Sequence, residues 1–460
     1  MRYNTDQYYY VGGADHIVNG HCALFYRLPG PALMVIVSRF LFGEDHWIVG
    51  IALFNLSMLG IASVFLYRLM RDLAWPCWIR TAVLFSYSTG IFGMCSRIVS
   101  SRLVFYSCAL IAISVLCRMC LGNHTSRADR IACFASLFTM PIFRETAICF
   151  ALTLLPLFFV LYKRLRTKVF SVCFSCTLAV AIPTGVFYML SWYSVGVPVL
   201  STSEGRCFGY AVADASRVHP EFVQETWLKE LYPNGGHLSN ENVNAAFSKI
   251  VEKRAETLAL KDPSKQHKAW AICNAQLGKE AKRDFFRLMV SHPIEWLKMA
   301  PWGYYLHSIS LHGPLYCFDA VSGEAGVSLP SGTNCYTSSG LPKRYAGHSQ
   351  GIIPLYTIGS SRIASFVANF LCFYGMFLSV LGALYALWGV FAPFQKYAEE
   401  KKEKLMRVAL LCVSLSFLLG HALLLFKDAY YIMHATFLSG FLGWWAIADF
   451  VKKRRKCCMA

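Results

Sequence analysis

Long apolar blocks, separated by short polar connections, occupy most of this chain. Many of the blocks are long enough to approach the thickness of a bilayer core. Residues 130–142 are short for a span, which indicates a tilted, broken or re-entrant helix. The run 31–43 is also short and contains Arg39, so we expect a helix lying in the membrane interface. The pattern predicts membrane spans near residues 48–69, 81–97, 103–119, 130–142, 146–162, 169–192, 363–392, 405–425 and 430–450.

Residues 193–362 depart from this pattern, since polar residues and glycines are frequent there. Helical periodicity predicts helices over 219–231, 242–260 and 266–291. His292-Pro293 should end the last of these and begin an aromatic run, which includes Trp296, suited to the headgroup region. Residues 312–361, rich in Gly, Ser, Pro and Tyr, are expected to cover a site or to serve as a connector.

Basic residues recur in alternate connections between the predicted spans, and such connections usually stay cytoplasmic. With nine spans, the N-terminal segment then lies outside and the basic tail inside. The predicted divisions are 1–45, a first external loop with its interfacial helix; 46–192, an N-terminal transmembrane bundle; 193–362, a mostly helical external domain; 363–451, the C-terminal transmembrane helices; and 452–460, a basic cytoplasmic tail.

Composition agrees with a membrane protein, since 56% of the residues are hydrophobic and 15% are charged, against roughly 25% charged in a soluble domain. The formal charge of +18 is explained by the cytoplasmic connections and anionic lipids, so we expect membrane lipids and no nucleic acid as partners.

Most of the 18 cysteines fall in predicted spans. Cys317 and Cys335 bracket the glycine-rich segment and would pair only in an oxidising compartment. No His or Cys spacing indicates a metal site, and no cofactor is expected.

The first segment carries a polar pattern directly before the apolar run. It contains Asp6 and Tyr10, then Asn19-Gly20, then Arg27-Leu28-Pro29-Gly30. This run resembles the first external loop of GT-C glycosyltransferases, most closely the protein-mannosyltransferase and aminoarabinose-transferase branch. Arg144 before an apolar helix, the segment 196–201 and His292-Pro293 resemble three further regions of that branch.

The resemblance implies an all-α polytopic membrane protein with a GT-C-like helix bundle. It also implies an inverting enzyme that takes a sugar from a polyprenyl-phosphate donor, with no bound metal required. The family's first membrane helix has no counterpart before Asp6. We therefore expect a chain that either starts outside the membrane or lacks its first span.

Sugar transfer from a lipid phosphate needs a base near the acceptor and cations near the leaving phosphate. Asp6 is the predicted base, because a carboxylate at a membrane face can gain basicity through desolvation; Asp15 is its rival. Guanidinium groups suit phosphate, whereas the alternative for each arginine is snorkelling to headgroups. The predicted substrate-binding residues are Tyr10, Arg27, Arg102, Arg144, Glu145, Lys343 and Arg344.

The sequence thus predicts an integral-membrane glycosyltransferase whose site faces a periplasm, the cell exterior or an ER lumen, with a bacterial inner membrane favoured. Its partners would be the lipid-linked donor and a protein, lipid or glycan acceptor. The alternatives are a non-catalytic membrane scaffold and a lipid or glycan transporter. A transporter should show paired halves or matching broken helices, and the sequence shows neither.

Overall fold

The computed structural model of the protein describes residues 5–19, 27–89, 101–123, 125–165, 167–233, 243–299, 362–391, 398–423 and 433–459. Within these residues the regular structure is helical, with short 3-10 turns and no strand. The prediction of an all-α protein is confirmed.

Most helices of the membrane part begin and end close to the predicted apolar blocks. Ala398–Leu423 begins seven residues before the predicted 405–425, and Met433–Met459 ends nine residues after the predicted 430–450. The predicted span 146–162 is divided into two helices. Their bounds are Trp47–Asp72, Cys77–Thr89, Ser101–Leu121, Arg127–Phe143, Ala147–Thr153, Leu155–Leu165, Thr167–Val195, Arg362–Phe391, Ala398–Leu423 and Met433–Met459. Among the described residues, three stretches are long and apolar enough to cross a membrane: Trp47–Asp72, Leu103–Leu121 and Val169–Val195. The chain is therefore a helical membrane protein with more than one span.

The N-terminal segment contains two helices, Thr5–Val18 and Gly30–Phe42. The second coincides with the run 31–43, for which an interfacial helix is predicted, and its side chains Val37 and Phe40 are exposed. The first lies in the segment predicted as an external loop, where no further helix was predicted. It packs against the second.

The helix Ser101–Leu121, called the central helix here, is buried along nearly its whole length. It packs between Trp47–Asp72 and Arg127–Phe143. At its start, Ser101 lies 3.3 Å from the Tyr10 hydroxyl in a buried contact. Near its other end, Arg118 contacts acidic residues of both neighbouring helices.

These contacts form a buried ion network at one end of the bundle. The Arg118 guanidinium donates to Asp72 at 2.6 Å and to Asp129 at 3.1 Å, and Arg68 donates to Asp129 at 2.9 Å. Asp129 also accepts from the backbone N–H of Ser126 in a capping box that begins the helix Arg127–Phe143. The network joins three helices at this end.

The C-terminal helices pack on the same bundle. A Cβ atom at Gly443 would lie 2.1 Å from the carbonyl oxygen of Leu378. The helices Arg362–Phe391 and Met433–Met459 therefore approach each other backbone to backbone. Arg407 donates to Asp449 at 3.2 Å. Lys452 donates to the Leu73 carbonyl at 2.5 Å, which places Arg407 and Asp449 at the end of the bundle that carries the ion network.

The region predicted to lie outside the membrane, called the loop domain here, is helical over its described residues. Its elements are Arg206–Val218, Phe222–Glu225, Trp227–Glu230 (3-10), Val243–Lys261, Pro263–Lys268 (3-10), Ala269–Ser291 and Pro293–Met299. The predicted helix over 219–231 is wrong, because Thr226 is extended and separates two short turns. The buried Asp284 carboxylate accepts the Trp227 N–H at 3.0 Å and holds this break. The helix Arg206–Val218 was not predicted.

The helix Ala269–Ser291, called the crossing helix here, is tied near both ends to the membrane part. Just before it, Lys268 donates to the Ser194 carbonyl at 3.4 Å. Just after it, the Trp296 indole N–H donates to the Leu423 carbonyl at 2.7 Å. The expectation that Trp296 lies in the headgroup region is wrong, since its ring is fully buried and packs 5.2 Å from Phe285.

Replacing Arg118 with methionine should lower the thermal stability of the protein in detergent. The change leaves Asp72 and Asp129 buried with less positive charge, and breaking a buried pair in this way costs roughly 3–5 kcal/mol. The melting temperature of Arg118→Met should fall well below that of Arg130→Met, which alters an exposed arginine on the same side of the bundle. Equal melting temperatures would show that the network contributes little.

Candidate functional site

The Arg27-Leu28-Pro29-Gly30 segment packs against the end of the helix Arg127–Phe143. A Cβ atom at Gly30 would lie 2.7 Å from the Ile142 carbonyl oxygen, so only glycine permits this approach. Leu28 is buried in a small cluster with Phe187 and Leu200. The segment containing Arg27 is therefore held next to Arg144.

Arg144 follows the last residue of its helix and is extended, with φ −149° and ψ 138°. Its side chain is 7% exposed. The guanidinium carbon lies 5.8 Å from the Phe105 ring centroid, within the range of a cation–π contact. Arg144 is thus enclosed by protein, which argues against the alternative that it snorkels to headgroups.

Glu145 is held by the segment that leads into the loop domain. The Ser201 hydroxyl donates to the Glu145 carboxylate at 2.7 Å, and Ser203 lies 3.2 Å from Ser201. A second carboxylate, Glu204, accepts from the Leu200 N–H at 2.8 Å and from Lys282 of the crossing helix at 3.0 Å. Two carboxylates therefore fix the turn at residues 200–204.

Arg206 begins the helix that follows this turn. It donates to the Ser248 hydroxyl, and its guanidinium carbon lies 5.5 Å from the Phe247 ring centroid. Gly205 just before it nearly touches the backbone of Gly278, since a Cβ atom there would lie 2.1 Å from the Gly278 Cα. Arg206 is thus positioned by two other helices of the loop domain.

The pKa of the Cys207 thiol, next to Arg206 in the sequence, depends on the charged side chains near it. Burial raises its pKa to about 11, and the Glu145 carboxylate also raises it. The guanidinium groups of Arg27, Arg144 and Arg206 act in the opposite direction. We call these three residues the arginine cluster. It lies at the end of the bundle remote from the ion network, where the Glu145 carboxylate and the Glu204–Lys282 pair are neighbouring charges.

The structure brings together three of the residues predicted from the sequence, namely Arg27, Arg144 and Glu145. Tyr10 contacts Ser101 at the start of the central helix. Asp15 is engaged elsewhere, since it accepts from Arg39 at 2.5 Å and is half-exposed. The backbones of Asp6 and Arg102 are helical, but their side chains lie outside the described residues, as do Lys343 and Arg344 altogether.

Sequence reasoning missed Arg206, Ser201 and the Glu204–Lys282 pair. The signal for Arg206 was present, because a basic residue directly follows the segment 196–201 that had been singled out. Arg206 and Arg144 influence the same thiol although they lie far apart in the chain, which no local pattern reveals.

The arginine cluster is suited to an anionic group. Guanidinium groups form paired hydrogen bonds to phosphate and keep their charge. Burial strengthens such contacts, because the effective dielectric constant falls. Among the described residues, no group of three or more His, Cys, Asp or Glu side chains is placed to hold a metal ion.

Comparisons with known proteins give little further guidance. No family model matches the sequence, and no curated protein matches it. Among solved structures, the chain is similar to the crystal structure of ArnT from Cupriavidus metallidurans in the apo state. The identity is 14% and the TM-score is 0.28, with 96% of this chain and 74% of the ArnT chain covered. A likeness this weak carries no functional argument, so the function has to be inferred from the residues of this chain.

The alkylation rate of Cys207 across alkaline pH should reveal the charges around it. The thiol, with a pKa of about 11, should react with iodoacetamide only as pH approaches that value, because the thiolate is the nucleophile. Glu145→Gln should lower this pKa and speed the reaction, whereas Arg144→Gln should raise it and slow the reaction. Peptide mass spectrometry measures both rates.

Cys273 provides the control, because its pKa is raised by burial and lowered by Arg254, outside the cluster. Its rate should be the same in all variants. If both variants shift the pH dependence of Cys207 alkylation in the same direction, Glu145 and Arg144 do not act on the thiol as described.

Proposed function

We propose that the protein is an integral-membrane glycosyltransferase that moves a sugar from a polyprenyl-phosphate donor to an acceptor at one membrane face. The observation that supports this proposal is that Arg27, Arg144 and Arg206 all lie within electrostatic range of the Cys207 thiol, at one end of the bundle. The cluster includes an arginine of the first segment, where the GT-C resemblance is strongest. Protein, lipid and glycan acceptors all remain open.

The charge of the site suits the leaving group of this reaction. The donor is a phosphodiester with one negative charge, and departure of the sugar produces a phosphate monoester with a second charge. Cations placed where charge develops stabilise the transition state more than the bound donor. Three arginines with one glutamate would therefore favour the departing polyprenyl phosphate.

Asp6 is the carboxylate that we assign as the base for the acceptor. It lies on the helix Thr5–Val18, one turn before Tyr10, whose hydroxyl reaches the start of the central helix. Asp15 is bound to Arg39 and Glu145 is bound by Ser201, so both have other partners. In-line attack by the activated acceptor would invert the anomeric carbon, and the site would face a periplasm, the cell exterior or an ER lumen.

Replacing Asp6 with asparagine should abolish transfer while donor binding persists. A general base contributes about 10²–10⁴-fold to the rate, so a loss of that size is expected. The measurement uses purified protein in detergent with a panel of radiolabelled polyprenyl-phosphate sugars, and it compares donor consumption by wild type and Asp6→Asn. Equal consumption by both proteins would remove Asp6 from this role.

Replacing Arg144 or Arg206 with glutamine should reduce donor turnover about 100-fold, the usual effect of losing one group that stabilises developing charge. Arg217→Gln is the matched control, because Arg217 lies on the same helix as Arg206 and pairs with Asp214. Its turnover should equal that of wild type. If wild type itself consumes no donor from the panel, a scaffold or a transporter becomes the better account.

A further inference from the structure

One face of the crossing helix holds the turn at residues 200–204. Three residues of the helix, spaced four apart, contact this turn or the glycine after it, and residues at that spacing share a helix face. The three contacts are the Asn274 amide donating to the Thr202 carbonyl at 2.5 Å, Gly278 lying against the backbone of Gly205, and Lys282 donating to Glu204 at 3.0 Å. The position of the turn therefore depends on the crossing helix.

The Glu204 carboxylate joins three parts of the chain. Its side chain is 11% exposed. Besides the ammonium group of Lys282, it accepts from the Leu200 N–H at 2.8 Å and from the Tyr188 hydroxyl at 3.4 Å. Tyr188 belongs to the membrane helix Thr167–Val195. Glu204 thus ties the membrane helix, the turn and the crossing helix together.

Lys282 contacts the chain on both sides of Arg206. It binds Glu204, two residues before Arg206, and its ammonium nitrogen lies 5.6 Å from the ring centroid of Phe208, two residues after it. The Phe208 ring also packs 5.1 Å from Phe285 of the crossing helix. The Lys282 side chain is 42% exposed, and exposed ion pairs contribute little to overall stability. The contacts of Lys282 therefore act mainly on the local position of Arg206.

We propose that Lys282 is a positioning residue for the arginine cluster and that it acts through Arg206. Its ammonium group fixes the backbone on both sides of Arg206, so that the guanidinium lies where charge develops on the leaving phosphate. This inference rests on the proposed function and extends it. Lys282 touches no reacting atom, but a displacement of about 1 Å in a group that does can lower a rate about 100-fold.

A double-mutant cycle in donor turnover tests the proposal. Lys282→Met should lower kcat roughly tenfold or more, while KM changes little, because the positioned charge acts mainly in the transition state. In the Arg206→Gln background the same change should have almost no further effect, since the group that Lys282 positions is already gone.

Two further variants belong to the same assay. Lys282→Arg should retain most of the turnover, because a guanidinium group also binds the Glu204 carboxylate. Lys279→Met is the matched control, since Lys279 is exposed on the same helix, and its kcat and KM should equal those of wild type.

Alkylation of Cys207 supplies a readout that needs no donor. Cys207 follows Arg206 directly, and burial raises its pKa to about 11. Loss of Lys282 should loosen this segment and reduce that burial. Lys282→Met should therefore increase the rate of reaction with iodoacetamide several-fold at a fixed pH, whereas Lys282→Arg and Lys279→Met should match wild type. Melting temperatures measured in parallel show that every variant is folded at the assay temperature.

Two results would overturn the proposal. Effects of Lys282→Met and Arg206→Gln that multiply in the double variant would show that Lys282 acts independently of Arg206. An unchanged rate of Cys207 alkylation in Lys282→Met would show that the lysine does not hold this segment. If wild type consumes no donor, the proposed function fails, while the alkylation rates still decide whether Lys282 positions the cluster.

Discussion

The burial of the central helix, Ser101–Leu121, is the constraint on which the rest of the structure depends. A helix that is apolar on all sides must be surrounded, and here Trp47–Asp72 and Arg127–Phe143 enclose it. Its two ends then have different partners. Ser101 meets Tyr10 of the N-terminal helix, whereas Arg118 meets Asp72 and Asp129. About 25 Å separates these two ends, so one packed helix sets the distance between the ion network and the candidate site.

The two ends of the bundle differ in the balance of positive and negative side chains. In the ion network, two arginines face two aspartates, so that the buried charges compensate one another and serve to join helices. At the opposite end, three arginines lower the pKa of the Cys207 thiol and one glutamate raises it. Ionisable groups buried in a membrane protein are costly and mark functional places. The more positive end therefore suits an anionic substrate, while the compensated end has a structural role.

The sequence predicted what depends on local pattern and missed what depends on distant contacts. Apolar run length located helices such as Trp47–Asp72, Ser101–Leu121 and Thr167–Val195 to within a few residues, whereas the start of Ala398–Leu423 and the end of Met433–Met459 were missed by seven and nine residues. Arg144 and Glu145, which interrupt an apolar stretch, drew attention to the site. Three features were missed or misplaced. Arg206 comes within electrostatic range of the same thiol as Arg144 only through tertiary packing. The break at Thr226 is held by Asp284, and the indole N–H of the buried Trp296 donates to the Leu423 carbonyl. In each case the deciding partner lies far away along the chain, where periodicity carries no information.

A cryo-EM structure of the protein with a bound polyprenyl monophosphate, the expected leaving group, tests the central claim most directly. The account predicts phosphate density within hydrogen-bonding distance of Arg144 and of at least one of Arg27 and Arg206, with the lipid tail leaving toward the membrane. Arg144→Gln, prepared in the same way, should lose that density. Phosphate bound at the ion network of Arg68 and Arg118 instead, or density at the arginine cluster that persists in Arg144→Gln, would contradict the account.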